Sequence, residues 1–215
     1  MTSLPAADSL DGARDLAEPY EGRPIHVLCL GGSTRPGSSS EQALRVSAGR
    51  ARQLGAEVEF IVGRDLMLPL YDTQTTVRSA PARALVDAIR RADALLVSSP
   101  GYHGTMSGMV KNALDYVEDL RTSERPYLDN VPVGCIAVAS GWQASVSTLH
   151  SLRVVAHALR AWPTPLGVAV NGAGPGVFDS ETGECLDVAI RGQLETVASQ
   201  AFDFAALMCA RRVHV

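Results

Sequence analysis

Strand-like and helix-like patterns alternate five times along this chain, and the alternation restricts the fold more than any other feature. Short apolar runs typical of buried strands lie at residues 25–30, 58–62, 94–98, 133–139 and 165–170. Helical spacing or helix start signals follow each run, at residues 39–54, 81–92, 109–120, 143–161 and 187–211. Strands that alternate with helices predict a doubly wound α/β fold, in which a parallel sheet is covered by helices on both faces.

The chain has 215 residues, enough for one large domain. Residues 24–215 carry the alternating pattern without a linker, so we expect them to form a single domain. Residues 1–23 lack periodicity and mix Pro, Gly and acidic residues. They predict a flexible N-terminal arm, or an arm that packs on a partner subunit.

Composition excludes several classes of protein. The formal net charge of −4 makes a nucleic-acid binder a poor candidate. No apolar run approaches the roughly 20 residues that span a bilayer, and the start of the chain lacks the apolar region of a signal peptide, so we expect a cytoplasmic protein with no membrane partner. The four cysteines form no C-x-x-C pair and lie mostly in apolar segments. They predict buried thiols and no metal site.

In doubly wound sheets, ligands bind beyond the carboxyl ends of the strands, where the strand order reverses. The loops after the first, third and fourth predicted strands are therefore the candidate binding loops. These loops are residues 31–40, 98–108 and 140–147.

The first loop, residues 31–40, has the sequence Gly-Gly-Ser-Thr-Arg-Pro-Gly-Ser-Ser-Ser. Its glycines allow tight turns, its hydroxyls donate hydrogen bonds, and the following helix points free N–H groups at the loop. Arg35 adds a permanent positive charge. Ser38 stands where a Walker A loop needs lysine, and the G-x-G-x-x-G dinucleotide pattern is absent, so a terminal monophosphate fits best. The alternative is an ordinary turn with a helix N-cap.

In the second loop, Tyr102 and His103 offer flat surfaces and hydrogen bonds. Gly101 and Gly104 let the main chain approach a planar ligand. The alternative is an ordinary surface turn.

Together these motifs resemble the NADPH-dependent FMN reductases of the flavodoxin-like superfamily. The resemblance rests on Gly32-Ser-Thr-Arg35 with Ser38 and Ser40, on Ser99-Pro-Gly-Tyr-His-Gly-Thr105 and on Gly108-Met-Val-Lys-Asn-Ala-Leu-Asp115. The segment Leu68-Pro-Leu-Tyr-Asp72 is also similar to that family. The resemblance covers about residues 25–210. It implies non-covalently bound FMN, a five-stranded parallel sheet of order 2-1-3-4-5, and a homodimer or homotetramer.

Residue by residue, the resemblance assigns the FMN phosphate to Ser33, Arg35, Ser38 and Ser40, with Ser39 as a helper. It places Pro100, Gly101, Tyr102 and His103, together with Gly104, along the isoalloxazine ring, and Thr105 and Ser107 near its pyrimidine edge. The chain departs from the family's Pro-Glu-Tyr-Asn at two positions, with glycine at 101 and histidine at 103. A Pro-x-Tyr-His segment is similar to that of azo- and quinone-reducing members.

The third loop departs further from the family, many of whose members have a glycine-rich stretch there. We expect Ser140 and Gly141 to offer backbone donors to the flavin ring. Trp142 has two interpretations: it covers the flavin or substrate, or it is a buried structural residue at the end of a strand.

The resemblance implies an FMN-dependent NAD(P)H oxidoreductase with ping-pong hydride transfer from NADPH or NADH to a small acceptor. Free flavin, a quinone, an azo compound or a metal oxyanion all suit that acceptor, and a flavin-dependent monooxygenase is a candidate recipient of reduced flavin. No catalytic triad is required, and Tyr102 and His103 are the candidates to influence the acceptor. His103 either donates a proton to the reduced acceptor or packs against the ring. The alternatives are a flavodoxin-type electron-transfer protein and a flavin-redox sensor, neither of which turns over small molecules.

Overall fold

The computed structural model describes residues 22–173 and 176–213. The predicted arm therefore lies outside the described residues except for its last two positions. In chain order the elements are β1 (His26–Gly31), α1 (Ser39–Gln53), β2 (Glu57–Val62), a 3-10 helix (Gly63–Leu66), α2 (Ala80–Arg91), β3 (Ala94–Tyr102), β4 (Thr105–Met106), α3 (Gly108–Asp115), a second 3-10 helix (Tyr116–Leu120), β5 (Pro132–Ala139), α4 (Trp142–Ala158), β6 (Trp162–Pro163), β7 (Val168–Asn171) and α5 (Val188–Val213).

The strands form a parallel sheet in the order β2-β1-β3-β5, with β6 and β7 one after the other along the far edge of β5. Val27 of β1 is in register with Val58 on one side and Ala94 on the other. The order has five positions and reverses next to β1. The predicted doubly wound sheet of order 2-1-3-4-5 is confirmed, with β5 in the fourth position.

The fifth position of the sheet differs from the prediction. It holds two short strands: β6 pairs with the start of β5, and β7 pairs with its end. Pro163 and Pro165 lie at and just after β6, and neither has the N–H that a continuous ladder needs. The single strand predicted at residues 165–170 is therefore only the second of two pieces.

Two further predictions are wrong in part. The third strand continues to Tyr102, four residues beyond the predicted end, and pairs with β4, which the sequence pattern did not indicate. The single helix predicted at residues 109–120 is α3 followed by a 3-10 helix. Short 3-10 turns commonly finish an α-helix, and this one buries Tyr116, Val117 and Leu120.

Both faces of the sheet are buried. Along β1, Leu28 and Leu30 face a cluster formed with α2, α3 and α4, whereas Val27 and Cys29 face a cluster formed with α1 and α5. All four cysteines are buried, which confirms the prediction of buried thiols. Burial raises the pKa of the Cys29 thiol to about 12 and outweighs the nearby positive charges of Arg52 and Arg45.

The described residues contain neither a membrane-spanning helix nor a cluster of metal ligands. No described helix is both long and apolar enough to cross a bilayer. Within residues 22–173 and 176–213, no group of three or more His, Cys, Asp and Glu side chains is placed to hold a metal ion.

A buried carboxylate joins the start of the domain to the sheet. Asp93, just before β3, accepts hydrogen bonds from both terminal nitrogens of Arg23 at 2.7 Å and from the N–H of His26 at 2.9 Å. Burial opposes ionisation of Asp93, but these donors outweigh it and lower its pKa. Because the folded-state pKa lies below the unfolded one, the stabilisation is present above about pH 4 and is lost as the pH falls further.

Asp93→Asn is therefore expected to lower the free energy of unfolding by about 2 kcal/mol at neutral pH, with a smaller loss near pH 3. Urea unfolding of the wild type and the variant at both pH values measures the difference. An equal difference at the two pH values would show that the carboxylate charge does not stabilise the fold.

Candidate functional site

The three loops that the sequence singled out begin at neighbouring strand ends. Gly31 at the end of β1 is in register with Ser98 of β3, and Pro100 of β3 is in register with Val138 of β5. All three loops leave the sheet at the carboxyl ends of its strands. The fold thus brings the predicted crevice together.

Two glycines shape the start of the first loop. Gly31 and Gly32 have φ angles of 142° and 85°, which side chains rarely adopt. The N–H of Gly32 donates to the carbonyl oxygen of Ser98 at 3.0 Å. A Cβ atom on Gly31 would lie 1.8 Å from that same oxygen, so only glycine allows this approach of β1 to β3.

The loop then turns tightly into α1. The N–H of Ser38 donates to the carbonyl oxygen of Arg35 at 3.2 Å, with Pro36 and Gly37 between them. Gly37 has a φ of 63°, as the third residue of a type II turn requires. Ser38 caps α1 because its Oγ accepts from the N–H of Glu41 at 3.4 Å.

At least two of the hydroxyls of this loop keep an O–H available to donate. Ser33 Oγ accepts from the N–H of Arg35, and Ser38 Oγ accepts from Glu41 and lies 3.2 Å from Ser40 Oγ. A serine hydroxyl that accepts still has one O–H to donate, so Ser33 keeps its O–H and one of Ser38 and Ser40 does too. Ser33, Ser38 and Ser40 are all nearly buried. Ser38 and Ser40 lie together at the start of α1.

Unpaired donors surround these hydroxyls. Ser39 and Ser40 are the first two residues of α1, and their N–H groups have no acceptor among the described residues. The Arg35 guanidinium is exposed and forms no hydrogen bond or ion pair with any other described residue. Free N–H groups at a helix N-terminus, O–H donors and one unpaired cation suit an anion with several oxygens.

The second loop is a β-hairpin. Gly101 pairs with Met106 and Tyr102 with Thr105, which leaves His103 and Gly104 as the two loop residues. Their φ angles are 52° and 89°, so both adopt the left-handed conformation of a type I′ turn. Histidine is among the residues that tolerate this conformation, as is asparagine, the family's residue at that position. Tyr102 is 51% exposed, and its directly paired neighbour Thr105 lies on the same face of the hairpin.

Helix α4 packs against this hairpin. A Cβ atom on Gly101 would lie 2.6 Å from Thr148 Oγ1 and 2.8 Å from the Cβ of Ala139. The departure from the family's glutamate at 101 therefore has a steric reason: α4 fills the space that a side chain would need. Ser147 Oγ also donates to the carbonyl oxygen of Gly104 and ties the turn to α4. No sequence signal indicated this contact.

The third loop differs in part from its prediction. The N–H of Gly141 donates within the protein, to Asn171 Oδ1 at 2.9 Å and to the carbonyl oxygen of Ala139 at 3.1 Å. Ser140 is exposed. Trp142 is the first residue of α4 and is 62% exposed, so the interpretation of a buried structural tryptophan is wrong.

Two neighbouring segments were not predicted to belong to the site. Gln42 of α1 donates to the carbonyl oxygen of Asp179 at 3.4 Å, which brings the loop before α5 beside the first loop. Hydrogen bonds from the N–H and hydroxyl of Thr182, and from the N–H of Glu181, lower the pKa of Asp179. In the sequence, the pattern Asp179-x-x-Thr182 is typical of a turn in which an aspartate side chain accepts hydrogen bonds from the residues that follow it.

The other segment is residues 68–72, which the family resemblance included without a structural role. Asn112 of α3 accepts from the N–H of Tyr71 at 2.8 Å and donates to the carbonyl oxygen of Pro69 at 2.9 Å. Asn112 is nearly buried and belongs to the Gly108–Asp115 motif of the family resemblance. These contacts attach the segment to the helix that follows the hairpin.

The family model described as NADPH-dependent FMN reductase matches residues 25–174. The chain belongs to this family. The matched residues include all three loops and the whole parallel sheet.

The curated relatives carry related names. An NAD(P)H-dependent FMN reductase of Pseudomonas aeruginosa is 28% identical over 76% of this chain and 85% of its own length. An NADPH azoreductase of Bacillus sp. is 34% identical over 54% of this chain. The chain spans 62% of the length of that azoreductase.

Solved structures show the same fold. FerB of Paracoccus denitrificans, a flavoenzyme NAD(P)H:(acceptor) oxidoreductase, aligns with a TM-score of 0.68 and 18% identity over 84% of this chain and 97% of its own. A flavodoxin of Streptococcus pneumoniae aligns with a TM-score of 0.54 and 15% identity over 82% of this chain and 97% of its own. The predicted flavodoxin-like fold is confirmed, as is the predicted family.

Proposed function

We propose that this protein is an FMN-dependent NAD(P)H oxidoreductase that reduces a small planar acceptor by a ping-pong scheme. The observation that carries the proposal is the first loop, which combines hydroxyl donors, the Arg35 guanidinium and two N–H groups at the start of α1 that have no acceptor among the described residues. These donors fit a dianionic phosphate such as that of FMN. When bound, FMN supplies the two-electron chemistry, accepting a hydride from NAD(P)H and passing electrons to the second substrate.

The residues of this chain bind and orient in this proposal. Ser33, Ser38, Ser39 and Ser40 donate to the phosphate, and Arg35 balances its charge. Pro100, Gly101, Tyr102, His103, Gly104 and Thr105 present hairpin backbone and side chains to the ring. The type I′ turn fixes the direction of the backbone groups at His103 and Gly104. Ser140 lines the side of the ring opposite the hairpin in this proposal. The N–H of Gly141 already donates to Asn171 and Ala139, so Gly141 serves to start α4 and does not bind the flavin.

Tyr102 and His103 are our candidates to determine which acceptor is reduced. Both lie at the exposed tip of the hairpin, where a second substrate would approach. In the proposed scheme, His103 donates a proton to a reduced quinone or azo nitrogen. Its position at the exposed tip supports this role, because a proton donor must come within hydrogen-bonding distance of the acceptor.

We further propose that the acceptor is a free flavin, a quinone or an azo compound. Large apolar side chains are exposed near the hairpin, at Tyr102, Trp142 and Val146. Aromatic side chains favour flat apolar substrates over small inorganic anions. Relatives named azoreductase and FMN reductase support the same classes. A flavin-dependent monooxygenase is a partner only if free flavin is the acceptor.

An absorbance spectrum of the purified protein tests the function, taken before and after anaerobic addition of NADPH. We expect a flavin spectrum that bleaches without any partner protein. A flavin spectrum that NAD(P)H does not bleach would favour the flavodoxin-type or sensing alternative. A protein that stays colourless even with added FMN would overturn the proposed cofactor site.

Trp142→Ala is expected to raise the KM for an aromatic acceptor about five-fold, since loss of one aromatic contact costs about 1 kcal/mol. The melting temperature should not change, because the side chain is 62% exposed. Steady-state kinetics with a quinone measure the effect, and Trp162→Ala, exposed on β6 away from the three loops, is the matched control. An unchanged KM for Trp142→Ala would remove this residue from the acceptor site.

We further propose that the protein forms a homo-oligomer in the cytoplasm. Val146 and Val154 project from α4 and are more than half exposed. Their spacing of eight residues puts them on neighbouring parts of the helix surface, which suits packing against a second copy. Light scattering should give a multiple of the 22.7 kDa chain mass. A monomer at micromolar concentration would contradict this part.

A further inference from the structure

An acidic residue, Glu41, lies in the turn of α1 that faces the proposed phosphate position. Glu41 is in the first turn of α1, and its own N–H donates to the capping hydroxyl of Ser38. The Cβ of Glu41 is 3.5 Å from the position that a Cβ would occupy on Gly32 in the first loop. The residue is 9% exposed, so water screens its charge poorly. A bare carboxylate here would repel a dianionic phosphate.

Arg45 contacts this carboxylate one helical turn later. Its Nε and Nη2 atoms both donate to Glu41 Oε1, at 3.0 Å and 2.6 Å. The guanidinium also lies over the ring of Phe60, 5.1 Å from the ring centroid. Two hydrogen bonds and the ring hold the cation in one position, so its charge remains beside Glu41.

We propose that Arg45 is a positioning residue of the phosphate site, which neutralises Glu41 and so lets the first turn of α1 accept a dianion. The inference rests on the proposed FMN site. Arg45 does not touch the phosphate in this proposal, because its guanidinium is occupied by Glu41. Its effect should therefore depend on the ligand's phosphate charge and on the Glu41 carboxylate.

The test compares FMN with riboflavin, which has the same ring and ribityl chain without the phosphate. The full chain is freed of flavin, and dissociation constants are measured by quenching of flavin fluorescence. Arg45→Gln is expected to weaken FMN binding about ten-fold and riboflavin binding less than two-fold. Replacing Glu41 with Gln in the Arg45→Gln background should restore FMN binding, because the repelling charge is gone.

Arg52→Gln is the matched control. Arg52 lies over the same Phe60 ring at 5.2 Å and on the same helix. This variant removes the same charge without breaking the contact to Glu41, so FMN binding should change less than two-fold. Equal weakening by Arg45→Gln and Arg52→Gln would overturn the proposal, since it would show a general effect of net charge.

Further outcomes separate this inference from the proposed function. Wild type that binds neither flavin overturns both. Wild type that binds FMN, with Arg45→Gln unchanged or with both flavins equally weakened, overturns the inference alone. Glu41→Gln by itself, with Arg45 intact, should bind FMN at least as tightly as the wild type. Selective weakening of FMN by that variant would identify the carboxylate as a ligand and contradict the proposal.

Discussion

Arg35→Ala is expected to weaken FMN binding by about 100-fold, the largest effect of any single side chain in the site. Charge-assisted hydrogen bonds contribute about 1.5–3 kcal/mol each, and a guanidinium can offer two to one phosphate. The Arg35 side chain forms no hydrogen bond or ion pair with any other described residue, so its removal breaks no described contact of the fold. The dissociation constant of FMN measures the loss, and riboflavin should bind the variant and the wild type alike.

Arg35→Lys serves as the companion variant. It keeps the positive charge but loses the planar pair of donors, so we expect an intermediate affinity. An Arg35→Ala protein that purifies with a full complement of FMN would show that the first loop does not bind the phosphate.

Gly101→Ala is expected to lower the free energy of unfolding by about 3 kcal/mol and the melting temperature by about 6–12 °C. The added methyl group would lie 2.6 Å from Thr148 Oγ1 and 2.8 Å from the Cβ of Ala139. Both atoms belong to buried residues that cannot easily move. Thermal and urea unfolding measure the loss.

Gly108→Ala provides the control. Gly108 begins α3 and does not have a positive φ, and a methyl group added to it would meet no neighbouring part of the protein within 4 Å. We expect no loss of stability there, because alanine favours a helix. If Gly101→Ala unfolded like the wild type, α4 would not pack against the hairpin as described.

Local patterns allowed much of the fold to be predicted. Strands buried on both faces appear as continuous apolar runs, and their alternation with helices leaves few possible sheet orders. The split edge was missed because β6 has only two residues, and so short a strand has no period of its own. Whether Pro163 and Pro165 interrupt pairing depends on the neighbouring strand.

The candidate site also has one part that local sequence predicts and another that depends on contacts between distant residues. The first loop is a continuous segment whose donors, cap and turn involve residues close in sequence, so its motif predicts an anion site directly. The contact between Ser147 and Gly104 joins residues 43 positions apart, and that between Gly141 and Asn171 spans 30. Such contacts depend on how α4 and β7 pack, which no local pattern encodes. The exposure of Trp142 was unpredictable for the same reason.

The broken fifth position of the sheet has a consequence for solubility at high concentration. A long unpaired strand at the edge of a sheet is a template on which another chain can add a strand and start an aggregate. Here that edge consists of two residues of β6 and four of β7, with Pro163 and Pro165 at and just after β6. An incoming strand would find no continuous row of backbone donors. The interruption thus protects this edge of the sheet from aggregation.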